Sequence, residues 1–238
     1  MWDGEEPCAY LPSERARLPH RYPLEPVTPT RFDALLEAGE RRAGPLLYRP
    51  SCPSCTACEA IRIPVADHAP TRSQRRVWRR NEGEIQVEVA APAVTPRHVE
   101  LFNRHKDERG LSRREAVSSA EEYRAFLVDT CVPAREVRYL RDGRLIAASI
   151  LDFGARSVSS VYHYFDPDEA DRSLGVYSVL KEIELARALG LDWYYLGLYV
   201  AGCRALRYKA SYWPHERRIA GVWRRFTYDE RDAAPGAT

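Results

Sequence analysis

The stretch from Arg135 to Val200 constrains the fold more than any other part of the chain. "REVRYLRDGRLIAASILDF" holds two alternating apolar runs joined by Asp142-Gly143, a pair whose tolerance of positive φ suits a tight hairpin turn. A third strand, "SVSSVYHYF", follows. The segment "DRSLGVYSVLKEIELARALGL" then sets Val176, Val179, Leu180, Ile183 and Leu189 near one helical face, with Ser173 as its cap and Gly190 as its stop. The aromatic run "LDWYYLGLYV" has strand composition.

Hairpin, third strand, helix and following strand is the order of an acyltransferase core of the N-acetyltransferase (GNAT) type. The expected class is therefore α+β, a mixed α/β fold, with this core in the C-terminal part. Before about residue 95 the chain is irregular and rich in Pro, Arg and Cys, with strand-like alternation only at "AIRIPV" and "EIQVEVA". The Pro-rich "AAPAVTPRH" makes a linker. The expected division is a smaller Cys/Arg-rich N-terminal domain over 1–95, an acyltransferase-like domain over 96–229, and a polar, disordered tail over 230–238. Within the second domain "TPRHVELFNRHKDERG" reads as a helix with Pro96 in its first turn and Gly110 past its end, and "SSAEEYRAFLVDT" as another.

With 45% hydrophobic residues the chain can bury a substantial core. The opening "MWDGEEPCAY" lacks a basic region followed by an apolar run, and no apolar stretch is long enough to span a bilayer, so the expected location is the cytoplasm and no membrane partner is expected. Net charge is only +2, yet "RSQRRVWRR" carries five arginines and no acid while "DPDEAD" is compactly acidic. Such segregation suits an anionic partner, although a charge run is more often a solvated face.

The small-residue turn at "RSLGVY" opens a helix whose first N–H groups can receive an anion or a polarised carbonyl. Coenzyme A enzymes use Arg/Gln-x-x-Gly-x-Gly/Ala at this turn. Here Arg172 and Gly175 fit, but Tyr177 fills the second small position, which argues against coenzyme A. There is no Gly-x-Ser-x-Gly elbow, no His-Glu-x-x-His helix and no Walker loop. Alternation turns His163 away from Tyr162 and Tyr164, the position of a structural or surface residue rather than a base, and Cys203 reads as a core or loop thiol. In "YYLGLYV" alternation sets Tyr195, Gly197 and Tyr199 on one face, where Gly197 lets a ligand approach between two phenols or simply serves packing. Arg204, Arg207, Lys209, Arg217 and Arg218 follow, and with the arginines at 72, 75, 76, 79 and 80 they offer a two-sided grip on phosphate.

Nearly the whole chain resembles the arginyl-tRNA-protein transferases, and among them the bacterial branch of aspartate/glutamate leucyltransferases. The matching stretches include "CAYLP", "RRAG", "YRPSCPSCTAC", "TRSQRR", "VYHYFDPD" and "YYLGLYVAGCRALRYKASYWP", in one order. The resemblance implies transfer of leucine from leucyl-tRNA to the N-terminus of proteins beginning with Asp or Glu, which marks them for N-degron degradation. Aminoacyl-tRNA is an activated ester and the attacking amine belongs to the acceptor, so no cofactor is required and the enzyme has two reactants to align. The α-amine, of pKa about 8, needs modest base assistance. The expected catalytic groups are the turn at Ser173 and Gly175 and the phenols of Tyr195 and Tyr199 as oxyanion stabilisers. For substrate binding, Arg76 and Lys209 are the candidates for the acceptor carboxylate, with tRNA phosphate as a competing role, joined by Arg75, Arg172 and Gly197. Ala43, Leu198, Leu206 and His163 depart from the family's usual pattern.

Cys52, Cys55 and Cys58, with Cys8 as a fourth, make a thiolate set able to bind zinc or an iron-sulfur cluster, or else pack as reduced thiols. Three other functions stand beside leucyl transfer. They are arginyl transfer to the same acceptors, a non-catalytic tRNA-binding protein with a four-cysteine metal module, and a coenzyme A acetyltransferase.

Overall fold

The computed structural model describes residues 3–108 and 117–229; the expected tail at 230–238 and the helix stop at Gly110 lie outside them. Its centre is a single eight-stranded mixed sheet in the order β12-β11-β5-β10-β9-β8-β7-β6. These strands are β5 (Glu59–Pro64), β6 (Gln86–Ala90), β7 (Ala134–Arg141), β8 (Arg144–Phe153), β9 (Ser157–Phe165), β10 (Trp193–Tyr199), β11 (His215–Ile219) and β12 (Val222–Phe226). Four short N-terminal strands, β1 (Glu5–Pro7), β2 (Arg15–Arg17), β3 (Arg41–Ala43) and β4 (Leu46–Tyr48), form two separate hairpins. The eight-stranded sheet crosses residue 95. β5 and β6 come from before it, and β5 lies between β10 and β11.

The β7–β8 turn is built as its residues dictate, with Asp142 and Gly143 at φ 50° and 75°. β9 leads through α5 (Leu174–Ala188) to β10, which pairs with it in parallel, the crossover a helix makes possible. α5 lays Tyr177, Val179, Leu180, Ile183 and Ala186 on the sheet core. Leu189, expected on that face, is the exposed C-cap, because the helix ends one residue before it. Ser173 departs from its expected part as well. It precedes α5 in the left-handed region, at φ 56°, and its side chain makes no capping bond. A 3-10 turn over Pro167–Arg172 runs straight into the helix there.

α2 (Arg72–Asn81) packs beside α5, and was not expected from a segment of five arginines. Thr71 and Gln74 make a reciprocal capping box that starts it. On the opposite face of the sheet lie α1 (Pro29–Glu37), α3 (Pro96–Glu108) and α4 (Ala120–Tyr123). α4 begins on the Ser119–Glu122 capping box and continues as a π turn over Arg124–Val128. Among the described residues no helix is long and apolar enough to cross a membrane.

The N-terminal part is fastened to the sheet by one fully buried ion pair. Arg42 on β3 donates through Nε to Oδ2 of Asp152 on β8 at 2.7 Å, and both side chains are at most 1% exposed. Arg42 also donates to the carbonyls of Gly44 and Asp129. Removing one partner of such a pair leaves an uncompensated buried charge. Arg42→Met is expected to lower stability to urea by about 3–5 kcal/mol, and Arg42→Met/Asp152→Leu to recover most of it. A loss under about 1 kcal/mol for the single variant contradicts this role of the pair.

Candidate active-site cleft

β9 and β10 pair only over Ser157–Ser159 and Trp193–Tyr195. Beyond that point β9 stays with β8, while β10 stays with β5 through a bulge between Tyr195 and Gly197. The two central strands therefore splay. A cleft of about 620 Å³ fills the wedge, with Val161 and His163 from one strand, Leu196 and Leu198 from the other, and Ser173, Leu174 and Gly175 at its edge. The first N–H groups of a helix have no intrahelical partner, so α5 directs two of them, on Leu174 and Gly175, at this space.

The cleft's charge is one-sided. Arg41, Lys209 and the Asp152-paired Arg42 line it, and among the described residues no Asp or Glu does. The cationic heads of Arg41 and Lys209 converge over the bulge. A Cβ on Gly197 would lie 3.0 Å from Lys209 Nζ and 3.1 Å from Arg41 Nη1, and the residue's φ of +96° also demands glycine. Arg41 is held by donating to the carbonyl of Ser160 at 3.2 Å. Among the described residues neither cation has a carboxylate partner. Burial, then the Arg41 charge, push the Lys209 ammonium down to about 7. Strand alternation explains Arg41, since Arg42 turns inward to Asp152 and its neighbour must face the other way. "RRAG" is the stretch of sequence that carries the pair.

The other expected residues separate. Ser173, Gly175, Gly197 and Lys209 are brought together. Tyr195 is not, because the bulge at Gly197 breaks the alternation meant to unite it with Tyr199. Its ring packs among Phe32, Leu36 and Leu47, and its hydroxyl meets Arg62 at 3.1 Å and Glu37 at 3.4 Å. Tyr199 lies beneath the guanidinium of Arg217, 4.6 Å from the ring centroid. Neither phenol lines the cleft. Arg172 is buried and tied to Glu169 and Glu84, so it is engaged in the scaffold. Arg75 is exposed and donates to the carbonyl of Pro70, and Arg76 lines a second hollow beside the cleft. His163 proves to be a cleft residue, with Nδ1 2.9 Å from Ser149 Oγ.

The thiols also gather. Cys58 is pushed up to about 12 by burial and then by Cys52, Cys8, Cys55 and Cys203 around it. Their hollow shares Leu198 with the cleft. Among the described residues, however, no group of three or more His, Cys, Asp or Glu is arranged to hold a metal ion.

A parallel strand pair splayed by a bulge, with a helix N-terminus in the wedge, is the geometry of an acyltransferase-type enzyme. The family models for Arginine-tRNA-protein transferase match its N terminus over residues 6–76 and its C terminus over residues 97–219. An aspartate/glutamate leucyltransferase of Pseudomonas aeruginosa is 38% identical over 217 residues, covering 91% of this chain and 92% of the relative. One from Acinetobacter baumannii is 35% identical, covering 92% and 80%. The chain belongs to the arginine-tRNA-protein transferase family. L-PGS from Bacillus licheniformis is similar in structure at 13% identity, with a TM-score of 0.45 over 71% of this chain and 50% of that one, too loosely to bear on function.

Lys209 is charged below about pH 7 and neutral above it, so the cleft loses one positive charge as pH rises through that value. After reductive ¹³C-methylation, the Lys209 resonance is expected to titrate near 7. A midpoint above about 9, in the ordinary range for an ammonium, contradicts the enclosure described here.

Proposed function

We propose that this chain transfers leucine from leucyl-tRNA to the N-terminal α-amine of proteins that begin with Asp or Glu, marking them for N-degron degradation. One observation carries the reading: a cleft with two cations that lack a carboxylate partner, Arg41 and Lys209, apolar side chains on its walls and, among the described residues, no carboxylate in its lining. Arg41 and Lys209 suit the acidic side chain of an acceptor, the guanidinium by its planar fork and the ammonium as a point charge. Leu196, Leu198, Val161 and Val179 suit a leucyl side chain. An arginyl donor would bring a third cation to a site with no acid to receive it, a cost of several kcal/mol in a desolvated pocket.

The chemistry follows from the ester. The acceptor's neutral α-amine attacks the carbonyl carbon, a C–N bond forms, and the carbonyl oxygen becomes an oxyanion. Donors at the Leu174 and Gly175 N–H groups stabilise that charge, each worth about 3 kcal/mol when well aimed. The intermediate collapses by breaking the bond to the ribose oxygen, which takes up the proton lost by the nitrogen. Tyr195 and Tyr199, away from the cleft, are left with the scaffold. Coenzyme A finds no free arginine at the α5 turn, since Arg172 is held by two glutamates, and Tyr177 is packed in the core. Iron, sulfide and zinc analysis of anaerobically purified protein decides whether the thiol neighbourhood carries a structural metal in solution.

Labelled leucyl-tRNA and arginyl-tRNA offered separately, with peptides beginning Asp, Glu, Lys or Ala, test donor and acceptor together. Transfer is expected only from leucyl-tRNA and only to Asp and Glu peptides. Arg41→Ala is expected to lower kcat/KM for those peptides by about 100-fold, the loss of one charged contact. Transfer from arginyl-tRNA, or equal use of Lys peptides, overturns the assignment.

A further inference from the structure

The cleft does not end at the α5 N-terminus. Val176 forms a wall shared with a second hollow of about 530 Å³, between α2 and α5, that Arg72, Arg76 and Tyr228 line. A third hollow of about 620 Å³ shares Thr71, Arg72 and Tyr228 with the second and adds Arg75, Trp213 and Arg225. The three spaces thus form one run along the α2 side of the sheet.

The lining of this run alternates cations with flat rings. Trp213 and Tyr228 meet edge to face, with centroids 6.1 Å apart. Arg72 and Arg76 are exposed, and among the described residues neither forms an ion pair. The two outer hollows hold one carboxylate, Asp67, and it is already paired with Arg225 at 2.6 Å. α2 itself has no acid among its ten residues; its Arg80 is paired with Asp171 at 2.8 Å, while Arg72, Arg75 and Arg76 line the hollows. Guanidinium groups suit phosphates and aromatic faces suit unstacked bases, and the combination is that of a track for single-stranded nucleic acid.

We propose that this run is a binding groove for the single-stranded 3′ end of an RNA, laid from Trp213 and Tyr228 past Arg72 and Arg76 to the N-terminus of α5. The inference rests on the aminoacyl-tRNA reading and deepens it. It assigns Arg76 to the donor's phosphates and leaves the acceptor's carboxylate to Arg41 and Lys209, on the other side of Val176. An ester at the end of such a strand arrives at Leu174 and Gly175 from one side, while the amine comes from the cationic base of the cleft.

Binding of deacylated tRNA, intact or with its single-stranded 3′ end removed, tests the groove by fluorescence anisotropy across a range of salt. Arg72→Ala/Arg76→Ala is expected to weaken intact tRNA about tenfold or more and to reduce the slope of log K against log salt by about 1.4, the value for two lost single-strand phosphate contacts. Tyr228→Ala is expected to weaken intact tRNA about tenfold through lost stacking and to leave the slope unchanged. Neither variant should alter binding of the trimmed tRNA. These side chains are exposed, and matched thermal unfolding midpoints establish that the variants are folded. Unchanged binding of intact tRNA by both variants, in a protein that still transfers leucine, overturns the groove alone. Competition by an acidic peptide that is lost in the arginine variant assigns the groove to peptide and overturns the proposal. A wild-type protein that binds no tRNA overturns the functional reading, and the groove with it.

Discussion

The contact on which the site depends is the buried pair of Arg42 and Asp152. It joins a three-residue strand near the N-terminus to the middle of the large sheet, more than a hundred positions away in the chain. Isolated, a hairpin as short as β3–β4 would have no stability of its own. Fastened by a charge that cannot be withdrawn without cost, it lies over the opening between β9 and β10 and turns Arg41 into the cleft. Asp33 on α1 makes a second tie, accepting from the N–H groups of Ala155 and Arg156 and from Ser157 Oγ at the β8–β9 turn. Buried pairs often add little net stability compared with apolar replacements. Here the pair's contribution is one of register, because it decides which face of β3 meets the substrates.

The cleft itself is a consequence of strand pairing. A parallel pair that kept its ladder throughout would leave no space; β10 keeps β5 on its other edge throughout, and beyond Tyr195, at a bulge and a glycine of positive φ, its pairing with β9 ends. That single irregularity produces the wedge, seats two cations against a residue without a side chain, and separates Tyr195 from Tyr199. The arrangement suits a reaction whose energy is already present in an ester. Rate enhancement then comes from orientation and from donors preset toward the oxyanion, and a side-chain nucleophile would add a step without lowering a barrier.

Much of this was legible in the sequence where the signals are local. The Asp142-Gly143 turn, the strand at Ser157–Phe165 and the helix at 174–188 all follow from patterns within a few residues of one another. α2 leaves no apolar period in the sequence because its surface is overwhelmingly arginine. Thr71 and Gln74, a capping pair three residues apart, were the signal that pointed to it. The position of β5 between β10 and β11 depends on pairings far apart in the chain and leaves no local trace. For the site, Lys209, Gly197 and the turn at Ser173–Gly175 were within reach, whereas Arg41 needed the knowledge that its neighbour is buried. Perfect alternation set Tyr195 beside Tyr199, and the bulge removed it. His163 was correctly turned from its flanking tyrosines, but only the splay of the strands makes its side of β9 a cleft.

The central claim is that leucine passes directly from RNA to the acceptor's amine, with the protein aligning both and bonding covalently to neither. A rapid-quench single turnover with labelled leucyl-tRNA, run first without and then with an Asp-terminated peptide, tests it most directly. The account predicts no label on the protein before peptide is added, and afterwards one amide formed for each ester consumed with no other co-substrate present. Acid-stable label on the protein ahead of the peptide would contradict it.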